Sequence, residues 1–212
     1  AGISQVYTLA ATRPVGGRSL GSLPAAMQDV TFESFKTSGN GTTARQKNTL
    51  EAALLAAQSF AGNPEGQWLV LGGPTGVGKT HLAAAIGNDK LRSGATPFFA
   101  FVPELLDHLR YTFAPTSTTT YDELFERVKS TEVLILDDLG AQTTTPWAEE
   151  KLYQLLVHRH NARLPTVITM DMATQLRPPI ASRLTDIRFV SVWEMEAPDY
   201  RNSTPAQTRP RS

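Results

Sequence analysis

The sequence predicts an α/β fold with three αβα layers, in which helices cover both faces of a central parallel β-sheet. First, short apolar runs alternate with segments of helical periodicity, a pattern typical of right-handed β-α-β connections. Second, a glycine-rich motif, Gly73–Thr80, stands between an apolar run and a helix-forming run. Third, Asp137 and Asp138 directly follow another continuous apolar run. Because ligands of such sheets bind at the carboxyl edge of the strands, we expect a site there.

The first half of the predicted domain follows from periodicity and stop signals. A helix over about 44–60 has leucines at helical spacing along one face, and Gly62–Pro64 ends it. The apolar run at about 67–72 predicts a strand. The helix after the glycine-rich motif extends to about residue 92, and Pro97–Phe101 predicts a second, buried strand.

The second half alternates in the same way. Pro103 is placed to start a helix that runs to about Tyr111, and a Pro/Thr linker at 114–120 separates it from a helix over 121–130. The apolar run Val133–Leu136 is typical of a strand in the middle of a parallel sheet. The remaining predicted elements are a helix over 147–161, a strand over 166–168, a short helix over 178–184 and a last strand over 187–192.

The chain is expected to contain an arm, one domain and a tail. Residues 1–29 are rich in Gly, Ala, Ser and Pro without periodicity, which predicts a flexible N-terminal arm or linker. The folded domain is predicted to cover residues 30–202. The proline-rich residues 203–212 are predicted to form a disordered C-terminal tail. Since the chain starts at Ala1 rather than Met, we expect it to belong to a longer polypeptide.

Composition restricts the possible functions. The 212 residues are 41% hydrophobic and 19% charged, which suits one well-buried domain. The formal net charge is zero, so any contact with DNA depends on a local patch or on several subunits together. The absence of cysteine excludes disulfides and thiol catalysis. No apolar stretch approaches the roughly 20 residues of a membrane span, so a cytoplasmic location with no membrane partner is expected.

The glycine-rich motif has the form of a phosphate-binding loop. Its glycines let backbone N–H groups converge on a phosphate, and the N-terminus of the following helix adds partial positive charge. Lys79 is expected to reach the β- and γ-phosphates, and the Thr80 hydroxyl to ligate Mg²⁺. The residues expected to contact the nucleotide here are Gly73, Pro74, Thr75, Gly76, Val77, Gly78, Lys79, Thr80 and His81.

The acidic pair predicts the metal side of the same site. Asp137 is expected to hold the Mg²⁺ shell, mostly through water. Asp138 is expected to orient or deprotonate an attacking water. Taken alone, the pair also fits a solvated turn after a core strand. The phosphate-binding loop upstream favours the nucleotide site.

From Thr31 to Arg201 the chain resembles the DnaC/DnaI-type helicase loaders and the similar IstB-type transposition ATPases, both of the AAA+ group of P-loop NTPases. The stretches that carry the resemblance are Thr31–Phe35, Gly73–Ala83, Leu134–Gly140, Trp147–Gln154, Leu164–Thr169, Ala181–Leu184 and Asp199–Arg201. The resemblance implies a P-loop NTPase (AAA+) fold and ATPase activity with ATP and Mg²⁺ as cofactors. It further implies a homo-oligomer that binds single-stranded DNA and a replicative helicase, or alternatively a transposase.

The resemblance also implies roles for three further residues. Arg183 matches the arginine finger that enters the site of a neighbouring subunit, and Arg201 matches the second sensor, beside the γ-phosphate of its own subunit. Asp171 stands where the family usually has an asparagine that senses the γ-phosphate. A carboxylate only accepts hydrogen bonds, so hydrolysis is expected to be slow, unless the alignment is shifted by one residue. Either arginine also fits a surface position without a catalytic role.

Little chain follows Arg201, so the C-terminal helical lid of many AAA+ proteins is expected to be absent. Phe32 and Phe35 either cover the base from the N-terminal side or are plain core aromatics.

For DNA, Leu109–Phe113 and the Thr-rich linker are the first candidates, with a solvated helix end as the alternative. Two more candidates are Arg127 and Lys129. A basic cluster is interpreted first as a solvated helix C-terminus and second as a subunit contact; its residues are His158, Arg159, His160 and Arg163.

Three functions therefore remain open. The first is an ATP-dependent helicase loader acting in DNA replication. The second is an IstB-like ATPase that regulates transposition. The third is a slowly or non-hydrolysing adaptor whose bound ATP holds an assembly together. A small-molecule kinase is disfavoured, because the sequence has no second substrate signature and no arginine-rich lid.

Overall fold

A five-stranded parallel β-sheet forms the centre of the protein in a computed structural model, which describes residues 20–38, 41–113, 120–142 and 145–202. The strands are β1 (Trp68–Gly72), β2 (Phe98–Phe101), β3 (Leu134–Leu139), β4 (Thr166–Met170) and β5 (Val190–Glu194). Their order in the sheet is β2-β3-β4-β1-β5, and every neighbouring pair is parallel. The predicted parallel α/β fold is confirmed.

The described residues also form six α-helices and two short 3-10 helices. They are α1 (Ala44–Gly62), α2 (Lys79–Arg92), α3 (Val102–Tyr111), α4 (Tyr121–Ser130), α5 (Pro146–Asn161), α6 (Pro178–Leu184), η1 (Ala25–Met27) and η2 (Tyr200–Asn202). Threonine side chains start three of the α-helices, because Thr43, Thr120 and Thr145 each accept a hydrogen bond from a backbone N–H of the first turn. Within the described ranges, no helix is both long and apolar enough to cross a membrane.

Helices cover both faces of the sheet because successive strand residues point to opposite sides. On one face, Val70 and Leu136 belong to a buried cluster with residues of α3, α4, α5 and α6. On the other face, Leu69 and Ile135 belong to a cluster with residues of α1 and α2. Burying one such side chain contributes about 1.5–3 kcal/mol. The sheet edge that carries the candidate site is therefore supported from both sides.

The last strand differs from its predicted position. The sequence predicts a strand over 187–192, but β5 begins at Val190, and Ile187 is 93% exposed. The physical reason is a turn built on Asp186, whose carboxylate accepts hydrogen bonds from the backbone and side chain of Arg188. Apolar content alone does not reveal such a turn.

The segment before α1 also differs from the prediction. Residues 1–29 are predicted as a flexible arm, yet within residues 20–29 the side chain of Leu23 is buried. The side-chain amide of Asn88 on α2 donates to the backbone oxygens of Met27 and Val30, at 2.8 and 2.7 Å. Gly21 also forms an isolated antiparallel bridge with Phe99 of β2. Residues 1–19, and the predicted tail 203–212, lie outside the described residues.

Arg159 occupies a different environment from the one expected. It is predicted in a solvated helix terminus, but its side chain is fully buried. Its guanidinium donates to the backbone oxygens of Lys129 and Thr131, at 2.9 and 2.8 Å, and to Thr166 Oγ1 at 3.0 Å. Burial lowers the pKa of Arg159 to about 9, which is still above neutral pH. The cation therefore joins the ends of α4 and α5 to the start of β4.

Candidate active site

A cavity of about 560 Å³ opens at the carboxyl edge of the sheet. It lies where β1, β4 and β3 are neighbours, so the loop after β1 and the acidic end of β3 face each other across β4. The polar side chains that line it include Lys79, Thr80, Asp137, Asp138, Thr169 and Arg201. The fold thus brings together residues that are more than a hundred positions apart in the sequence.

The phosphate-binding loop requires glycine for two reasons. Gly73, Gly76 and Gly78 have φ angles of 141°, 84° and 97°, which other residues adopt only with strain. A Cβ at Gly76 would also overlap the Asp199 carboxylate, and a Cβ at Gly78 would lie 2.6 Å from the Phe35 ring. The loop is therefore enclosed by an N-terminal and a C-terminal segment of the chain.

Lys79 is positioned by the loop itself. Its Nζ donates to the backbone oxygens of Gly73 and Pro74 at 2.6 and 2.8 Å. Burial lowers the pKa of Lys79, and the nearby carboxylates of Asp138, Asp171 and Asp137 oppose that effect. The ammonium group can move from these carbonyls to a phosphate with a small change of its flexible side chain. This placement fits a phosphate ligand.

Thr80 and Asp137 provide the oxygen atoms that a magnesium ion needs. Thr80 Oγ1 donates to Asp137 Oδ1 at 2.9 Å and lies 3.1 Å from Oδ2. Adjacent ligands of an octahedral Mg²⁺ are separated by about 3 Å, given metal–oxygen distances near 2.1 Å. Burial raises the pKa of Asp137, while hydrogen bonds from Thr169 and Thr80 lower it. The donor set fits the predicted metal site.

Thr169 is a residue that sequence reasoning missed. It lies near the end of β4, is 1% exposed, and donates from Oγ1 to Asp137 Oδ1 at 2.6 Å. The same oxygen accepts the backbone N–H of Asp138 at 2.8 Å. Because β4 separates β1 from β3, a polar residue at its carboxyl end was the available signal. Thr169 fixes the orientation of both acidic residues.

Asp138 is aimed into the cavity by an irregularity in β3. The register between β3 and β4 shifts between Leu136 and Leu139, and Asp138 has a φ angle of 62°. The left-handed conformation costs a non-glycine residue about 1–2 kcal/mol, though aspartate tolerates it better than most. The conformation lets consecutive residues, Asp137 and Asp138, both line the cavity. One can therefore serve a metal while the other faces a water.

His81, predicted to contact the nucleotide, holds the N-terminal segment against α2. Its Nε2 lies 3.0 Å from Ser34 Oγ and 3.2 Å from the Thr31 backbone oxygen. Burial lowers the pKa of His81 below its usual range. Phe35 packs edge-on against the His81 ring and lines the cavity, whereas Phe32 is buried in the core. Of the two candidate aromatics, Phe35 borders the cavity.

Arg201 lies at the opposite wall of the cavity. The preceding chain is held to the loop because Met195 N–H donates to Gly72 O at 2.8 Å and Tyr200 N–H to Gly76 O at 3.1 Å. The Arg201 side chain pairs with Asp199, at 3.2 Å between Nε and Oδ1. Between β5 and residue 202, the only helical element is the single turn η2. Arg201 is thus held near the phosphate-binding loop of its own chain.

Asp171 and Arg183 do not line the cavity. Asp171 follows β4, is exposed, and its Oδ1 accepts the backbone N–H of Ala173 at 2.9 Å. Arg183 lies in the last turn of α6, where its Nη1 donates to Pro179 O at 2.6 Å. A residue that serves a neighbouring subunit is expected outside its own cavity, so this placement is compatible with the predicted role of Arg183.

Replacing Thr169 with valine keeps the shape of the side chain but removes the hydroxyl. We expect ATP turnover to fall about ten- to a hundredfold, as for other residues that orient metal ligands. Loss of a hydrogen bond to the carboxylate raises the pKa of Asp137 further. Since the ionised form holds the cation, activity should be lost at a higher pH as the solution is acidified. The measurement is a pH–rate profile at several Mg²⁺ concentrations.

The matched control for this variant is Thr112→Val, which removes a hydroxyl bonded only to the backbone of its own helix. It should leave the pH–rate profile in place. An unshifted profile and unchanged Mg²⁺ dependence in Thr169→Val would contradict the role of the Thr169 hydroxyl.

Comparison with known proteins identifies the family. The sequence profile of the family described as IstB-like ATP binding protein matches residues 21–175. The chain belongs to this family. The match covers the phosphate-binding loop, the acidic pair, Thr169 and Asp171, but ends before Arg183 and Arg201.

Relatives of this IstB-like protein include replicative helicase loaders. The loader DnaC of Buchnera aphidicola subsp. Schizaphis graminum (strain Sg) is 30% identical over 135 residues, which cover 64% of this chain and 52% of that protein. The loader DnaI of Bacillus subtilis (strain 168) is 33% identical over 117 residues, covering 55% and 37%. The chain therefore spans about half or less of the length of these two relatives.

The fold is also that of a solved helicase loader. The crystal structure of the DnaC helicase loader is similar with a TM-score of 0.64 at 23% sequence identity, and the match covers 82% of this chain and 100% of that chain. The likeness confirms the P-loop AAA+ fold that the resemblance implied.

Proposed function

We propose that the chain is the ATPase domain of a helicase-loader-like AAA+ protein that acts in DNA replication. The observation that carries the proposal is the joint placement of Lys79, Thr80 and the acidic pair around one cavity. The sequence similarity of the chain to helicase loaders supports the proposed role in DNA replication. A cytoplasmic location and a replicative helicase as partner belong to the same proposal.

In the proposed reaction, the chain binds Mg·ATP and positions a water for attack on the γ-phosphate. Bound Mg²⁺ would neutralise part of the negative charge of the phosphates. Thr80 and Asp137 would hold the cation, and Lys79 would bind phosphate oxygens from the loop side. Asp138 accepts a proton from, or orients, the water. Arg201 approaches the phosphates from the C-terminal side.

The proposed active unit is a homo-oligomer. The candidate-site cavity of one chain is lined by Lys79 and Arg201 but not by Arg183. A guanidinium from a neighbouring subunit would neutralise the charge that develops on the transferred phosphoryl group. Full hydrolysis is therefore proposed to need Arg183 from a second copy.

Single-stranded DNA is proposed to contact the end of α3. Tyr111 and Phe113 are 73% and 60% exposed, and Phe113 stacks on Tyr121 with ring centres 5.0 Å apart. The Arg110 guanidinium lies 5.3 Å from the Trp147 ring. Exposed aromatic faces beside arginine suit base stacking and phosphate contact. Of the Pro/Thr linker predicted at 114–120, residues 114–119 lie outside the described residues.

The other two predicted DNA contacts are engaged within the chain. Arg127 donates to the backbone oxygen of Leu20 at 3.2 Å, and Lys129 pairs with Glu126 at 2.6 Å. The proposed interface is therefore centred on Arg110, Tyr111 and Phe113. Because the net charge is zero, binding should appear with assembly and weaken as salt rises.

Asp171 favours one alternative, an adaptor that hydrolyses ATP slowly. Replacing Asp171 with asparagine is expected to raise turnover about fivefold, because it removes a repulsion of about 1 kcal/mol near the phosphates. The asparagine oxygen can still accept the Ala173 N–H. Single-turnover hydrolysis of both proteins measures the effect. A clear slowing in the asparagine variant would contradict this interpretation.

The proposed function is tested in two steps. Calorimetry with Mg·ATP should show binding to the native chain and none to Lys79→Ala. Full-length protein, bound to ATP, should then recover a replicative helicase from purified candidates. Recovery of a transposase instead would favour the IstB-like role in transposition. Recovery of neither partner, with ATP bound, would favour the adaptor.

A further inference from the structure

We propose that Tyr153 is a positioning residue for Arg183; this inference rests on the proposed function, in which Arg183 is the arginine finger. The guanidinium carbon of Arg183 lies 5.5 Å from the centre of the Tyr153 ring. Tyr153 lies on α5, is half-buried, and packs against the core cluster under the sheet. The face of a ring attracts a cation electrostatically. Tyr153 therefore offers the guanidinium a support whose own place is fixed by the core.

The remaining contacts of Arg183 leave its guanidinium incompletely bonded. Its Nη1 donates to the backbone oxygen of Pro179, one turn earlier on α6. Its Nε is buried and has no hydrogen-bond partner among the residues that the structure describes. A buried donor without an acceptor is less stable than a bonded one. The Arg183 guanidinium would therefore be stabilised by a hydrogen bond to an anionic oxygen. Until then, the Tyr153 ring is a main restraint on its position.

The helix that carries Arg183 is attached to α5 at both ends. At the start of α6, Arg177 Nη1 lies 3.7 Å from Glu149 Oε2 on α5. Ile180 and Leu184 of α6 are buried in the same cluster as residues of α5. The contact of Arg183 with Tyr153 completes the attachment at the end of α6. The backbone of α6 is thus fixed, and the Tyr153 ring restricts the flexible Arg183 side chain together with the hydrogen bond to the Pro179 oxygen.

The inferred role follows from the length of the arginine side chain. An unrestrained arginine loses much rotamer freedom when it is held at one point. Because the Tyr153 ring already restricts the guanidinium, the arginine loses less rotamer freedom when it binds a phosphate in the neighbouring subunit. Tyr153 does not line the cavity of its own chain. Its removal should therefore lower kcat and leave the KM for Mg·ATP unchanged.

The kinetic test compares three variants on α5 in the assembled protein. Tyr153→Leu removes the ring but keeps an apolar side chain, and we expect kcat to fall about tenfold. Tyr153→Phe keeps the ring face and should restore kcat. Gln154→Leu changes the next residue on the helix, which bonds to Glu150, and controls for a general effect on α5.

A second measurement does not need turnover. In ¹⁵N-labelled protein, the Nε–H of Arg183 is expected to resonate upfield of a free arginine, because it lies near the face of an aromatic ring. The shift should persist in Tyr153→Phe and disappear in Tyr153→Leu. The native protein alone provides this test if the leucine variant does not fold.

The outcomes separate this inference from the proposed function. Native kcat in Tyr153→Leu, with Arg183→Ala inactive, would overturn the positioning role and leave the arginine finger in place. A native Arg183 signal without the upfield shift would overturn it as well. Native turnover in Arg183→Ala would instead reject the arginine finger itself.

Discussion

Replacing Arg183 with alanine is expected to lower ATP turnover by about 10³–10⁵-fold, the range found for arginine fingers in related NTPases. Binding of Mg·ATP should be unchanged, because Arg183 does not line the cavity of its own chain. The loss comes from the missing positive charge at the transferred phosphoryl group. Steady-state hydrolysis, together with calorimetry at the same protein concentration, measures both quantities.

The control for this variant is Arg188→Ala, an exposed arginine that pairs with Asp186 before β5. Arg188 does not line the cavity, and turnover should stay near the native rate. A mixture of Arg183→Ala with Lys79→Ala tests the action between subunits. Because each protein supplies what the other lacks, mixed oligomers should recover activity. Native turnover of Arg183→Ala alone would refute the finger.

Replacing Arg159 with alanine is expected to lower the free energy of unfolding by about 3–5 kcal/mol. The change leaves a cavity and removes the donor for several buried oxygen atoms, each of which costs about 1–3 kcal/mol when unpaired. The backbone oxygens of Lys129 and Thr131 are among them. Urea unfolding followed by circular dichroism measures the difference.

Arg92→Ala provides a matched control, since Arg92 also ends a helix but its side chain is 54% exposed. Its effect should stay within about 0.5 kcal/mol. Equal effects of the two variants would show that Arg159 is not a structural cation. A third variant, Arg159→Met, tests whether packing alone maintains the stability, because methionine fills a similar volume but donates no hydrogen bonds.

The elements that depend on periodicity were predictable from the sequence. Helices α1 to α6 and the phosphate-binding loop lie close to their predicted positions, since each repeats its signal over several residues. The start of strand β5 was not predictable in this way, because a single residue, Asp186, determines the turn before it. The N-terminal segment is likewise held by single contacts, from Asn88 and Leu23, that have no periodic signal.

The parts of the candidate site that were predictable from the sequence are those in which a short motif determines the local geometry. The loop and the acidic pair lie in the order that β-α-β connections require, so their approach follows from topology. Thr169 was not predictable in the same way, because its role depends on a register shift in the neighbouring strand β3. Arg159 was misassigned because a charged residue at a helix end is usually solvated.

The position of β1 has a consequence for how nucleotide occupancy can be transmitted. The strand is paired on both sides, with β4 and β5, and all five of its residues are buried. Its amides can be released only with the whole sheet. We therefore expect the effect of a bound nucleotide to pass through the peripheral residues 31–36 and 195–201, which contact the loop, and not through β1.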